Sequence, residues 1–390
     1  GGTSVSTIST EPFLRVLKKG RRFRIIPSAL SVILLSLSLL ACSGETETAG
    51  ENASGEEAES GEKGPESNTD AEEAAQKEEF TIAVFIPGAL AGSPLYQELA
   101  DGAEKAAGEY DFAEAKVIEG GFNQGEWLDR ITELAASEEY ELIVSSNPAL
   151  PEISAKVAER IPEQKFLLFD GYLEGNESIY TFRYNQREQA FLAGHMAGLV
   201  TTSEELSGSG EELKIGLVAG QEYPDMNDAI KPGYLEGARR VHEEIELDFR
   251  VVGNWYDASK AYELAKEMIS GGVDVILPIA GGANQGVLKA VEENSIYAIW
   301  YDSNGYNKSP GRIMGNTAIL QEDAVYEKTK EAIEGSLNYG EGLIVGVEEG
   351  WIDFIDDDPL YTEHVPESLR ERQSEIVEMM KKGEISLPLR

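Results

Sequence analysis

Short apolar runs alternate along the chain with longer stretches in which apolar residues recur every three or four positions. Runs of the first kind predict buried strands, and the periodic stretches between them predict helices. The runs form two series, at 80–86, 115–120, 141–146, 165–170 and 179–184, and at 214–220, 249–255, 274–280, 297–302 and 312–318.

A polar stretch at 201–213 separates the two series. Strands that are apolar throughout and alternate with helices are typical of parallel sheets covered by helices on both faces. The pattern therefore predicts an α/β fold with two doubly wound parallel-sheet lobes. The tail from Trp351 onward predicts a strand, a proline-containing turn and a packing helix at 368–385, with Met379 and Met380 in the core.

Ligands of such sheets bind beyond the carboxyl ends of the strands, where loops and helix N-termini converge. The segments that follow the strands here are rich in aromatic, amide and Asp side chains and poor in Lys and His. They suit a flat, neutral ligand held by stacking and hydrogen bonds, whereas an anionic ligand would require Arg or Lys. The candidate binding residues are Tyr96, Gln97, Asn147, Asn185, Gln186, Gln221, Tyr223, Trp255, Asn284 and Trp300. For each aromatic residue, packing within a lobe is the alternative role.

The motifs of catalysis and metal binding are missing, so we predict a protein that is not an enzyme and has no metal or cofactor. The histidines at 195, 242 and 364 lie away from the predicted strand ends, and the chain has no nucleophile elbow. The segment GGANQG at 281–286 lacks the lysine of a phosphate-binding loop. The acidic segment at 353–359 does not have the spacing of a calcium-binding loop and predicts a solvated turn.

The charge balance excludes one class of partner. Lys and Arg number 33 against 71 Asp and Glu, which gives a formal net charge of −38. Such a surface repels nucleic-acid phosphates, so we expect no nucleic-acid partner.

The first 41 residues are predicted to be a signal peptide. A basic region precedes an apolar stretch at 29–41 that is too short to cross a membrane. The stretch ends in LLAC, which resembles the lipobox of bacterial lipoproteins, and that resemblance implies lipidation at Cys42, the single cysteine. We therefore expect a protein anchored by lipid to a bacterial membrane and facing the periplasm or the cell exterior. Residues 42–79 are acidic and almost free of large apolar side chains, which predicts a disordered tether.

Three segments, at 187–200, 214–238 and 251–290, resemble the basic membrane protein family of substrate-binding lipoproteins. The resemblance extends from Phe80 to about Ile333. It implies a two-lobed fold of the periplasmic-binding-protein type I kind, joined by a multi-strand hinge, that delivers a small molecule to an ABC permease. The implied lobes are 80–205 with about 318–345, and 206–317 with about 346–390.

The resemblance also implies several site residues. Matched position by position, the family's strand-end aspartates fall on Asp170 and Asp302, and its aromatic residue before the helix at 187–200 falls on Tyr184. Its small-residue turn falls on Gly281 and Gly282, next to Ala280. The sequence departs from the family at 92–97, where an acidic residue and a lysine are missing, and at Asn316, near which the family has a second lysine.

These departures bear on the ligand. Members of the family bind purine nucleosides, and a spirochaetal relative binds riboflavin. The loss of charged groups argues against ribose recognition, and the aromatic strand ends offer a wide stacking surface. We therefore expect riboflavin, with a purine nucleoside as the alternative ligand and a surface adhesin or an enzyme on the same fold as alternative functions. For a transport receptor the expected mechanism is closure of the two lobes around the ligand.

Overall fold

A computed structural model describes residues 79–210 and 212–389. The predicted signal peptide, Cys42 and the tether up to residue 78 lie outside the described residues. Within those two ranges, no helix has the length and hydropathy that a membrane span requires.

The first sheet has six strands, all parallel, in the order β11-β5-β4-β3-β1-β2. Its strands are β1 Phe80–Ile86, β2 Ala113–Glu119, β3 Leu142–Ser146, β4 Lys165–Phe169, β5 Ile179–Tyr184 and β11 Gly342–Val345. The helices that follow these strands or pack with them are α1 Pro94–Ala107, α2 Gln124–Ala136, α3 Leu150–Ala158 and α8 Gln321–Ile333, and α8 packs against α1.

The second sheet also has six strands, in the order β12-β10-β9-β8-β6-β7, and only β12 is antiparallel to its neighbour. Its strands are β6 Lys214–Ala219, β7 Glu246–Val251, β8 Val273–Ile279, β9 Tyr297–Trp300, β10 Ile313–Ile319 and β12 Ile352–Phe354. The remaining helices are α4 Gln186–Thr201, α5 Lys231–Val241, α6 Ala258–Ser270, α7 Asn284–Glu293, α9 Pro359–His364 and α10 Glu367–Lys381.

Two strands depart from the sequence pattern. β7 lies at 246–251 and not at 249–255, because this edge strand is only half-buried and its polar residues obscure the apolar run. β11 was not predicted, since it is a four-residue edge strand with Leu343 and Ile344 exposed. In the tail, Met380 is buried and Met379 is half-buried against the core, as the pattern of α10 indicates.

Helix α4 belongs by its packing to the second sheet. All 16 of its residues are buried, and it packs mainly against α5, β10 and α10. The chain therefore passes from the first sheet to the second between Tyr184 and Gln186, earlier than the boundary expected at residue 205. A polar linker marks a surface segment but does not show which sheet the preceding helix covers.

Glycines allow the backbones of α4 and α5 to come into contact. A Cβ on Gly194 would lie 1.9 Å from the Tyr234 carbonyl oxygen, and one on Gly237 would lie 2.0 Å from the Phe191 carbonyl oxygen. Only glycine fits at such distances, and the approach fixes α4, with its N-terminal turn, on the second lobe.

The chain returns to the first sheet after β10 and leaves it again after β11, so three segments connect the lobes. Glu188 fixes the last of these segments to α4, because its carboxylate accepts hydrogen bonds from the backbone N–H groups of Val347 at 2.9 Å and Leu387 at 3.4 Å. The N-terminus of α4 is therefore tied to the last segment that connects the lobes.

Candidate functional site

Two carboxylates, one from each sheet, lie at the junction of the lobes. Asp170 follows β4 and Asp302 follows β9, and both adopt a left-handed backbone conformation, with φ of 57° and 72°. Burial, together with the nearby charges of Asp302 and Asp225, raises the pKa of the Asp170 carboxyl to about 8. Carboxyl ends of strands from both sheets therefore meet at one place, as the doubly wound topology requires.

The first turn of α4 orients both carboxylates. Gln186 donates from Nε2 to Oδ1 of Asp170 at 2.6 Å, and Gln189 donates from Nε2 to Oδ1 of Asp302 at 3.1 Å. Residues three apart share one face of a helix, so a single helix end holds one group from each lobe. Burial raises the pKa of Asp302 to about 6, although the Gln189 hydrogen bond opposes the shift.

A third carboxylate comes from the second turn of α1. Burial, and next the charge of Asp302, raise the pKa of Glu98 to about 8. Within residues 79–210 and 212–389, no hydrogen-bond donor contacts its carboxylate. Glu98 lies just beyond the segment 92–97, where the family's acidic residue is missing, and so restores a carboxylate to this part of the site.

Two buried polar atoms beside these carboxylates have no partner in the part of the chain that the structure describes. They are the hydroxyl of Tyr184, on a fully buried side chain, and Oε1 of Gln189. Burial and the charges of Asp170, Glu98 and Asp302 raise the pKa of Tyr184 well above its ordinary value. Buried polar atoms normally have partners, so a ligand with polar groups is expected here.

Tyr96 and Asn147 form a polar contact on the first lobe. Burial raises the pKa of Tyr96 to about 12, and its hydroxyl is hydrogen-bonded to the Asn147 side chain. Asn147 in turn accepts a hydrogen bond from the Ala149 backbone N–H at 2.9 Å, which fixes the amide. The structure therefore brings these two predicted residues together.

Tyr223 and Trp255 form an aromatic pair on the second lobe, with ring centroids 6.1 Å apart. The Trp255 ring lies over Gly220, where a Cβ would come within 2.4 Å of it. Gly281, with φ of 58°, approaches the Trp255 carbonyl oxygen, and Gly282 lies beside the same residue. The charges of Asp170 and Asp302, after burial, raise the pKa of Tyr223 well above its usual range, so the pair borders the carboxylates.

One cation lies near these carboxylates. Arg183 of β5 forms an ion pair with Asp225 of the second lobe, and its charge also lowers the pKa of Asp170. The hydroxyl of Tyr301 donates to the Gln186 backbone oxygen at 3.3 Å. Four residues of this site were not predicted from the sequence, namely Glu98, Arg183, Gln189 and Asp225. Gln189 could have been predicted, since it stands three positions after the predicted Gln186 and so lies on the same face of the helix. No local sequence pattern indicates that Glu98 or Arg183 lies at the site.

Three predicted amide residues have structural partners. Asn316 is fully buried, where its amide accepts from the Gly305 N–H at 2.7 Å and donates to backbone oxygens of Ser303 and Thr317. Asn185 caps α4 by accepting a hydrogen bond from the Glu188 N–H, and its Nδ2 also donates to the Leu387 carbonyl oxygen. Similarly, Asn284 accepts from the Ala280 N–H at 2.7 Å. These residues shape the loops around the site.

Three other predicted residues lie at its periphery or inside a lobe. Trp300 is 7% exposed, with its ring against Gly305 and 5.7 Å from the Lys308 ammonium group. Gln97 is exposed and donates to Asp101, and Gln221 is exposed at the end of β6. These residues differ from Tyr96 and Asp302 in the direction of their side chains. The sequence shows that a residue lies at a strand end, but it does not specify where its side chain points.

The arrangement suits binding through hydrogen-bond acceptors. In the ranges 79–210 and 212–389, no group of three or more His, Cys, Asp or Glu side chains is placed to hold a metal ion. His195 is buried on α4 and bonded to Gln373 of α10, with Nδ1 to Oε1 at 2.7 Å. The carboxylates and the unpaired polar atoms would instead contact a ligand that donates hydrogen bonds.

Comparison with known families identifies this architecture. A family model described as PnrA-like ABC transporter substrate-binding proteins matches residues 80–386. The chain belongs to this family, Bmp. A solute-binding protein of an ABC transporter from Aeropyrum pernix has a similar structure, with a TM-score of 0.70, 22% identity and coverage of 80% of this chain and 94% of that one. The prediction of two parallel-sheet lobes of the periplasmic-binding-protein type I kind is confirmed.

Curated relatives match over shorter segments. A nucleoside-binding protein of an ABC transporter from Lactococcus lactis is 27% identical over 153 residues, which cover 39% of this chain and 41% of that relative. A lipoprotein of Pyrococcus abyssi is 27% identical over 241 residues, covering 58% of this chain and 57% of the relative. The chain thus matches about half the length of these relatives.

Proposed function

We propose that this Bmp-family protein is the substrate-binding component of an ABC importer and that it binds a purine nucleoside between its lobes. The proposal is carried by one observation: carboxylates from both lobes lie near one another, beside buried polar atoms that have no partner among the described residues. When ionised, these carboxylates only accept hydrogen bonds, so a ligand that donates hydrogen bonds stabilises their ionised form. A ligand held from both sides stabilises the closed form, which a permease can recognise.

The carboxylates favour a nucleoside over riboflavin, which reverses the order expected from the sequence. A purine nucleoside donates hydrogen bonds from its sugar hydroxyls and, in guanosine or adenosine, from the amino group of its base. Riboflavin also has hydroxyl groups, but the imide N–H of its ring lies between two carbonyl oxygens, which a carboxylate repels. The buried charges near Asp170 therefore fit an amino or ring N–H edge better than an imide edge.

Riboflavin remains the second candidate because of the aromatic surface. Tyr223 and Trp255 present two adjacent rings on one lobe, and Tyr96 lies on the other. A three-ring ligand offers more area for stacking on such a surface than a purine does.

Membrane attachment is part of the proposal. LLAC at 39–42 resembles a lipobox, and the Pyrococcus abyssi relative is named a lipoprotein. We expect Cys42 to carry lipid and the tether to hold the lobes near the permease. The measurement is the incorporation of labelled palmitate into the protein in growing cells. We expect wild type to carry the label and Cys42→Ala to lack it.

Calorimetric titration of the full chain in detergent tests the ligand. Guanosine, adenosine, inosine, riboflavin and ribose are titrated separately after the protein has been unfolded, freed of ligand and refolded. We expect at least one purine nucleoside to bind and ribose alone not to bind. Asp302→Asn should weaken nucleoside binding at least about tenfold, which is about 1.4 kcal/mol, while the exposed Asp129→Asn should not.

The competing functions give different results in the same experiment. Binding of riboflavin alone would select the second candidate. Binding of none of the compounds would contradict the transport proposal and leave the adhesin. Chemical conversion of a bound nucleoside, detected by chromatography after incubation, would indicate an enzyme.

A further inference from the structure

We propose that Glu98 is a ligand-binding residue that determines specificity: with Asp302 on the opposite lobe, it accepts hydrogen bonds from neighbouring hydroxyl groups of the ligand. The inference rests on the proposed function and deepens it. It predicts a preference for ribose-containing over 2′-deoxyribose-containing nucleosides that depends on a side chain of α1.

The position of Glu98 is the first support. It lies on the second turn of α1 in the first lobe, and the group on the other lobe whose charge acts on it most strongly is Asp302. Asp302 keeps its carboxylate oriented through Gln189, but Glu98 has no donor of its own among the described residues. Two ionised carboxylates that approach from opposite lobes repel each other, so either one of them binds a proton or hydrogen-bond donors lie between them.

Independent support comes from the unpaired polar atoms. The Tyr184 hydroxyl, fully buried, has Asp170, Glu98 and Asp302 as its charged neighbours, and it has no hydrogen-bond partner in the described chain. Gln189 is also fully buried, and its Oε1 is unpaired on the side chain that holds Asp302. A ligand with several hydroxyl groups satisfies these atoms and separates the two carboxylates.

The electrostatic surroundings of Glu98 predict a linked proton. The charged groups that face it are Asp302 from the loop after β9, Glu322 and Asp323 from α8, and Asp101 from α1. All are acidic, and together with burial they raise the pKa of Glu98 to about 8. Arg183 is paired with Asp225 of the second lobe, and its charge acts on Asp170.

Binding should therefore release a proton. At pH 7 Glu98 is largely protonated in the ligand-free protein, since its pKa is raised to about 8. Hydroxyl donors stabilise the ionised form and lower that pKa, so the proton leaves when the ligand binds. Affinity then rises with pH until the free carboxyl is itself ionised.

The test compares wild type, Glu98→Gln and Glu104→Gln, which changes an exposed residue of the same helix. Dissociation constants for guanosine and 2′-deoxyguanosine are measured at pH 6 and 8.5, and proton release is measured by calorimetry at pH 7 in two buffers of different ionisation enthalpy. We expect wild type and Glu104→Gln to prefer guanosine at least about tenfold and to release up to about one proton from Glu98 in addition to any from Asp170. Glu98→Gln should lose most of the preference and should release fewer protons than wild type, with Asp170, whose pKa is also raised to about 8, as the source of the remainder.

The outcomes separate this inference from the proposed function. If wild type binds no nucleoside, the proposed ligand is wrong, and the same comparison is made with riboflavin and lumichrome, the ring without the hydroxyl chain. If wild type binds guanosine and Glu98→Gln keeps its preference and its proton release, the role of Glu98 is overturned. Thermal melting checks that each variant folds. Should Glu98→Gln not fold, Glu98→Asp replaces it, and an unchanged preference would equally overturn the inference.

Discussion

Asp170 and Asp302 are held in a backbone conformation that most residues avoid, with φ of 57° and 72°. Asp tolerates this conformation better than most side chains do. Each carboxylate is also fixed by an amide of α4, so neither can turn away from the other lobe. Two unfavourable features, backbone strain and crowded like charge, thus coincide at the proposed binding site, where such features are tolerated because they serve function.

Asp170→Asn should stabilise the ligand-free protein at neutral and higher pH. Burial raises the pKa of this carboxyl from its ordinary 3.8 to about 8, so its contribution to folding is complete at low pH and is lost as the pH rises through about 8. Asn stays neutral, tolerates positive φ and can still accept from Gln186. The free energy of unfolding of variant and wild type, measured in urea between pH 5 and 9, should diverge as the pH rises.

Asp129→Asn, an exposed change on α2, is the matched control and should follow wild type at every pH. A constant difference between Asp170→Asn and wild type over this pH range would contradict the buried, protonated state of Asp170. The same variant should bind the nucleoside more weakly, because Asn cannot ionise and so cannot form a charge-assisted hydrogen bond with a donor of the ligand.

At the scale of elements, α4 determines the geometry of the site. Its first turn carries Gln186 and Gln189, and Glu188 between them fixes the last connecting segment. The position of the whole helix depends in turn on its contact with α5, where the glycines at 194 and 237 remove the space that side chains would need. A change in the distance between α4 and α5 would therefore displace the glutamines that orient both carboxylates.

Gly237→Ala should destabilise the protein by about 1–3 kcal/mol, since a methyl group would lie 2.0 Å from the Phe191 carbonyl oxygen and the helices must move apart. Gly125→Ala, at an exposed position in the first turn of α2, is the control and should leave stability unchanged or slightly higher. Calorimetric melting of both variants measures the effect. Equal melting temperatures would show that α4 and α5 do not require this close approach.

At the scale of the molecule, closure brings like charges together. The chain has a net charge of −38, and acidic groups from both lobes lie at their junction. The ion pair of Arg183 and Asp225 joins the lobes against this repulsion. In the proposed mechanism, ligand binding and this ion pair stabilise closure, whereas the remaining carboxylates favour opening.

Removing the ion pair should shift the ligand-free protein towards an open form. Arg183→Gln and Asp225→Asn should both increase the radius of gyration measured by small-angle X-ray scattering, and added ligand should restore the smaller value. The two changes alter the local charge in opposite directions, which separates pairing from neutralisation. If the radius of gyration increases in Arg183→Gln but not in Asp225→Asn, the arginine acts only by reducing the negative charge and not by pairing with Asp225. Lys156→Gln, which changes an exposed side chain of α3, serves as the control for net charge.

The pattern of apolar residues is enough to predict most strands and the class of fold. Residues 80–86 and 179–184 are strands at the predicted bounds, because buried parallel strands need continuous apolar runs whatever their neighbours are. The sequence also indicated Asp170, Tyr184 and Asp302, since the topology makes strand ends converge and the family motif marks those positions. It failed at edge strands such as β11, which carry no buried run.

Contacts between distant segments determine which side chains at these strand ends face the junction of the lobes and which support a loop. Asn316 and Asp302 are both predicted binding residues. The side-chain amide of Asn316 is hydrogen-bonded to backbone groups, whereas the carboxylate of Asp302 faces the other lobe. Glu98 had no signal at all, because its environment is created by residues about 200 positions away in the chain, Asp302 and Glu322. Strand formation depends on local apolar pattern, but the charge and hydrogen bonding of a site depend on distances between segments that the sequence does not record.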